Sequence, residues 1–69
     1  MSEHVAKVVE VVGTSDESIE KAISTAIART AETVRNLRWF EVTELRGHIA
    51  GNRVDRYQVM LKIGFALDE

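Results

Sequence analysis

Arg53-Val54-Asp55-Arg56-Tyr57-Gln58-Val59-Met60-Leu61-Lys62-Ile63-Gly64-Phe65-Ala66-Leu67 carries the cleanest two-residue alternation in this chain. Tyr57, Val59, Leu61, Ile63, Phe65 and Leu67 fall on one face, and Arg56, Gln58, Met60, Lys62, Gly64 and Ala66 on the other, as in a strand with one apolar side. Ala50-Gly51-Asn52 just before it supplies the residues of a hairpin turn, so Trp39 to Ile49 reads as the partner strand. Pairing Ala50 with Arg53 and counting back one for one sets Phe40 opposite Ile63 and Val42 opposite Leu61, so the two strands agree on a core face. The same register sets Trp39, Glu41 and Thr43 on the opposite face with Gln58, Lys62 and Gly64. It places the indole across from Gly64, which has no side chain to cover it.

Parity strains after Thr43. Continued without interruption, it turns Leu45 and Ile49 outward, Glu44, Arg46 and His48 inward, and sets Gln58 opposite Leu45. A bulge near Thr43 would repair the pattern; alternatively, a second subunit covers the outer face. Gln58 then lies six positions from the level of Trp39, roughly 20 Å at strand rise, so one chain cannot bring both to one small ring. A ligand touching both has to lie between subunits.

Upstream, Val5 to Val12 is rich in β-branched residues and ends at Gly13, which reads as a strand followed by a turn. Val5, Val9 and Val11 lie on one face and Val8 and Val12 on the other, so both faces are expected to be at least partly covered. Thr14 with Glu17 three residues on has the spacing of a capping box, and Asp16 and Glu17 suit the positive end of a helix dipole. Ile19, Ala22, Ile23, Ala26, Ile27, Thr30, Ala31, Val34 and Leu37 then recur at three- and four-residue steps, predicting one long helix with an apolar stripe. Its small residues, Ala22, Ala26 and Ala31, would let it lie close to a sheet. Arg35 and Arg38 would complement its C-terminal end.

Sixty-nine residues make a single domain, 1–69, and a chain this short buries only about 60% of the surface its unfolded form exposes. Small domains compensate with disulfides, a metal or oligomerisation. This chain has no Cys and only two His, His4 and His48, too few for a tetrahedral zinc site, so oligomerisation is the remaining route and no metal site is expected. A formal net charge of −2 with scattered Lys and Arg gives no footprint for nucleic acid. With no leader and no apolar run near the roughly 20 residues that cross a bilayer, a soluble cytoplasmic protein is expected.

No enzyme is expected either. Neither a Ser or Cys nucleophile beside a base nor a glycine-rich phosphate loop is present, and Glu41 and Glu44, three apart on a strand, point to opposite faces. Trp39 is left as either an oligomer contact or a platform on which a ligand stacks. Gln58 reads either as a solvated polar residue or as a two-way partner for the donor and acceptor edge of a heterocycle. Arg46 is either a surface charge or a planar group that stacks on an aromatic system or holds phosphate.

Gly13-Thr14-Ser15 before a helix, Trp39-Phe40-Glu41-Val42, Arg46-Gly47, Tyr57-Gln58-Val59 and Lys62-Ile63-Gly64-Phe65 together resemble a dodecin of the bacterial branch. The likeness spans essentially the whole chain and includes the 19-residue spacing from Trp39 to Gln58. It implies an α+β subunit of β-α-β-β order, a three-stranded antiparallel sheet wrapped around one long helix, assembled into a hollow homododecamer. It implies flavin bound in stacked pairs at subunit junctions, for storage and photoprotection, with FMN the usual ligand and riboflavin or FAD the alternatives. Trp39 would stack, Gln58 would read the pyrimidine edge, Arg46 would lie by the flavin, and Phe40 and Glu41 would follow Trp39 in the binding motif. Some members also bind coenzyme A, for which His4 and Arg29 are the candidates here. A second arginine that can meet the ligand after the Gly-Phe pair is replaced by Ala66. The alternative reading is an interaction oligomer with Trp39 as an interface anchor and no ligand.

Overall fold

Gly51 and Asn52 take φ of +61° and +65°, the left-handed pair that a two-residue hairpin requires and that Gly and Asn tolerate best. The hairpin therefore closes where the sequence places it, with Ala50 opposite Arg53. In the computed structural model, which describes residues 3–67, the order is β1 (Ala6–Ser15), α1 (Ile19–Thr30), β2 (Leu37–Ala50) and β3 (Arg53–Ala66). The strands form one antiparallel sheet ordered β1-β3-β2, so the alternating strand is the central one and both its neighbours are edges. The β-α-β-β class expected from the sequence is the observed one.

The helix is shorter than predicted and starts differently. Thr14 is part of β1, opposite Gln58, so the Thr14–Glu17 capping box does not form. The cap is Ser18, whose Oγ accepts the Lys21 amide at 2.9 Å, while Ser15 Oγ accepts the amides of Glu17 and Ser18. The helix ends at Thr30, and the Thr30 carbonyl accepts from both Thr33 and Val34 as the last turn tightens. Asn36, at φ +65°, then redirects the chain into β2. Apolar periodicity ran through this turn because Leu37 packs on the core from outside the helix, with Val34 half-buried in the turn. Arg29, not Arg35 or Arg38, is the basic residue of the last turn.

Gly13 is likewise no turn. It is buried within edge strand β1, opposite Val59, and a Cβ there would fall on the Ala22 carbonyl oxygen and 3.0 Å from Ala26 Cβ. Ala22 and Ala26 are the buried helix residues, so a stripe of small side chains meets a bare backbone and the helix seats closely on the sheet. Val59, Leu61 and Ile63 complete the buried core, with Val9, Val11, Ile23, Ile27 and Leu37 packed around it. Fully burying a side chain such as Leu61 stabilises by about 1.5–3 kcal/mol, and three such strand residues are a thin core for a domain.

The helix lies over β1 and β3 but not over β2, and the molecule measures 55 × 20 × 13 Å. Its radius of gyration is 14.4 Å, against about 11 Å for a compact chain of this length. Val8 and Val12, on the side of β1 away from the helix, are exposed, so one subunit covers only one face of that strand.

Candidate functional site

The register of β2 on β3 decides which side chains share a face. One-for-one pairing holds at the turn, with Ile49 opposite Val54, and again at Val42–Leu61, Phe40–Ile63 and Trp39–Gly64. Between these, irregularities at Asp55 on β3 and at Thr43 on β2 offset each other, so the pairs from Glu44 to His48 are shifted by one. Thr43 Oγ1 ties its irregularity down by donating to the Met60 carbonyl at 3.1 Å. Leu45 consequently sits opposite buried Val59 on the helix side, while Arg46, not Leu45, faces Gln58. Of the two repairs open at the level of sequence, the bulge is the one observed: Glu44, Arg46 and His48 are outward and Leu45 and Ile49 are turned to the helix side.

The outer face is thus laid out in rows across β1, β3 and β2: Val8-Gly64-Trp39, Glu10-Lys62-Glu41, Val12-Met60-Glu44 and Thr14-Gln58-Arg46. In the first row the indole lies over Gly64; a Cβ added there would overlap the five- and six-membered ring atoms. Glycine thus gives the indole a backbone surface to rest on, while Trp39 as a residue remains 47% exposed. A third irregularity, at Arg38, lets Leu37 pair with Phe65 on the helix side while Trp39 keeps to the outer face.

In the last two rows Arg46 leans from the level of Gln58 back toward Met60. Its Nη2 is 3.0 Å from Glu44 Oε1 and 3.1 Å from Met60 Sδ. The Gln58 amide, half-buried, makes no hydrogen bond to another described residue, leaving a donor and an acceptor free for a ligand edge. Trp39 and Gln58 remain six residues apart along β3, roughly 20 Å, as the unbulged register also gives. Phe40 lies on the helix side, opposite Ile63, and Glu41 on the outer side, opposite Lys62, so the two residues that follow Trp39 face apart. His4 lines a groove with Val5, Ala6, Arg38, Trp39, Ala66 and Leu67. Arg29 lines a different one, between helix and β1, and pairs with Glu32 at 3.8 Å. The structure does not bring those two together within a groove of one subunit.

The Dodecin family model matches residues 5–68. The chain belongs to the dodecin family. It is 54% identical over 65 residues to the dodecin of Thermus thermophilus, covering 94% of each chain. A crystal structure of a Thermus thermophilus protein superposes with a TM-score of 0.91 at 52% identity, covering 97% of this chain and 98% of that one. The dodecin of Streptomyces coelicolor superposes at 0.90 with 48% identity over 100% and 99% of the two chains. At such identities the dodecin subunit fold extends over the whole sheet and helix, including the Trp39 and Gln58 rows.

The sequence missed one part of the dodecin outer face. Glu44 and Arg46, two apart, share a side in any register, but it is the shift at Thr43 that turns both outward beside Gln58, and it puts Glu44 on the side of Glu41 rather than opposite it as strict alternation predicts. The parity break at Thr43 was the signal for it.

Proposed function

We propose that this dodecin binds flavin between the subunits of a homododecamer and holds it without turnover, as a store that also suppresses photochemistry. The observation that carries this reading is Trp39: a half-exposed indole resting on Gly64, on a face where Gln58 offers an unpaired amide too distant to serve the same ring from the same chain. A flavin between symmetry-related subunits would satisfy both, with the isoalloxazine against Trp39 and its pyrimidine edge against Gln58. Stacking of this kind contributes on the order of 1–3 kcal/mol per ring by analogy with bases on aromatic side chains. A stacked indole is also a fast electron donor, so bound flavin loses its fluorescence.

FMN is the expected form, with Arg46 the outward guanidinium nearest the Gln58 row. Family identity and the choice of Trp, Gln and Arg on one face support this; Glu41 shares that face, and Phe40, next to Trp39 in sequence, anchors the stretch from the helix side. Coenzyme A, with His4 and Arg29, would need contributions from more than one subunit. We place the protein in the cytoplasm; among the described residues, no helix is long and apolar enough to cross a membrane.

Titration of FMN with protein tests the reading. Fluorescence falls to a plateau at saturation, and flavin that stays fully fluorescent overturns it. An assembly with Trp39 as an anchor and no ligand is the second reading, favoured by the apolar side chains that β2 leaves uncovered on the helix side. A dodecamer that remains colourless after exposure to FMN, with Trp39 emission already that of a buried indole, would establish it.

A further inference from the structure

The outer face carries cations that could meet a flavin phosphate, and each has acid beside it. Lys62 stands in register between Glu10 and Glu41, and no carboxylate approaches it within ion-pair distance among the described residues. Arg46 is different: its Nη2 is engaged by Glu44 Oε1 at 3.0 Å, with Met60 Sδ at 3.1 Å on the same nitrogen. Glu44 shares the face of Arg46 because it stands two residues before it, and the register shift at Thr43 brings both to the face of Met60 and Gln58. Ala66, opposite Ala6 on this face, adds no charge.

We propose that Glu44 is a specificity-determining residue that sets how strongly the site prefers phosphorylated flavin. This rests on the flavin reading above and deepens it. A guanidinium recognises phosphate by donating two parallel hydrogen bonds, and a carboxylate asks for the same donors. Glu44 therefore competes with a ligand phosphate for Arg46, and its own negative charge opposes the approach of a dianion. Riboflavin has the same ring system and no phosphate, so it does not sense this competition. The wild-type protein accordingly prefers FMN to riboflavin by less than an unpaired Arg46 would give. The pair is half-exposed on both sides, so the competition is modest.

The experiment compares FMN and riboflavin affinities by fluorescence quenching for wild type, Glu44→Gln, Arg46→Ala and the double variant. Glutamine keeps the shape of an exposed side chain, so assembly is retained and is checked by size-exclusion chromatography. In Glu44→Gln, FMN binding tightens about three- to fivefold, the scale of a partly exposed ion pair, while riboflavin binding is unchanged. With Arg46→Ala in place, Glu44→Gln shifts the FMN-to-riboflavin ratio by a smaller factor, because the shared guanidinium is gone. Quenching of both flavins with an unchanged ratio in Glu44→Gln overturns this inference and leaves the flavin reading standing. A shift of equal size with and without Arg46 also overturns it, since Glu44 would then act only as a general charge. A wild-type protein that quenches neither flavin removes the flavin reading, and this inference falls with it.

Discussion

Trp39 and Gly64 are one unit. An indole that lies on a glycine gains contact with the backbone below it and keeps its other surface open, a geometry that any Cβ at 64 destroys. Trp39→Ala is expected to weaken FMN binding on the order of ten- to a hundredfold, the equivalent of one stacking partner, measured as the midpoint of fluorescence quenching. Gly64→Ala leaves the indole in the sequence but forces it off its seat, and an overpacking strain of about 1–3 kcal/mol should cost about tenfold in the same titration. If Gly64→Ala quenches FMN as wild type does, the ring does not need its glycine floor. Gln58 and Arg46 share a row because of the register shift between the irregularities at Asp55 and Thr43, which a one-for-one count from the turn omits, whereas Trp39 stays opposite Gly64 because the two irregularities offset each other before that pair is reached.

At the scale of elements, the helix is seated by a cap and by a bare strand position. Ser18→Ala removes the hydroxyl that accepts the Lys21 amide and should destabilise by about 1 kcal/mol; Thr14→Ala, at the position the sequence favoured, should cost less. Urea unfolding at one fixed protein concentration separates the two, since assembly makes apparent stability concentration-dependent. Gly13→Val drives a branched side chain into the Ala22 carbonyl and the Ala26 methyl, and should prevent the helix from docking. Loss of cooperative unfolding by circular dichroism is the expected result. A Gly13→Val protein as stable as wild type would mean that the helix can stand off the sheet.

At the scale of the molecule, the subunit is unfinished on its own. It exposes 5289 Å², where a folded monomer of this mass exposes about 4,300 Å². On the hairpin, Leu45 is 53% and Ile49 78% exposed, and Val54 and Ile19 border the same apolar surface. A charge there has no place in a covered interface. Ile49→Asp with Val54→Asp should break the assembly into smaller species by native mass spectrometry and should abolish FMN quenching, although neither residue lies on the Trp39 face. An assembly that survives both changes would show that this surface is not an interface.

Local chemistry on the page of the sequence determined the strand alternation of 53–67, the Gly51-Asn52 turn, the facing of Phe40 with Ile63 and Val42 with Leu61, and the outward Trp39. Each depends on residues adjacent in sequence or paired across a turn of fixed length, so two-residue parity is enough to find it. The tertiary structure decided the end of the helix at Thr30, the cap at Ser18, the burial of Gly13 and the shift at Thr43 that brings Glu44, Arg46 and Gln58 onto one face. Those depend on where a helix can fit over a three-stranded sheet and on which apolar side chains win the few buried positions. Neither contest is visible in the spacing of one strand.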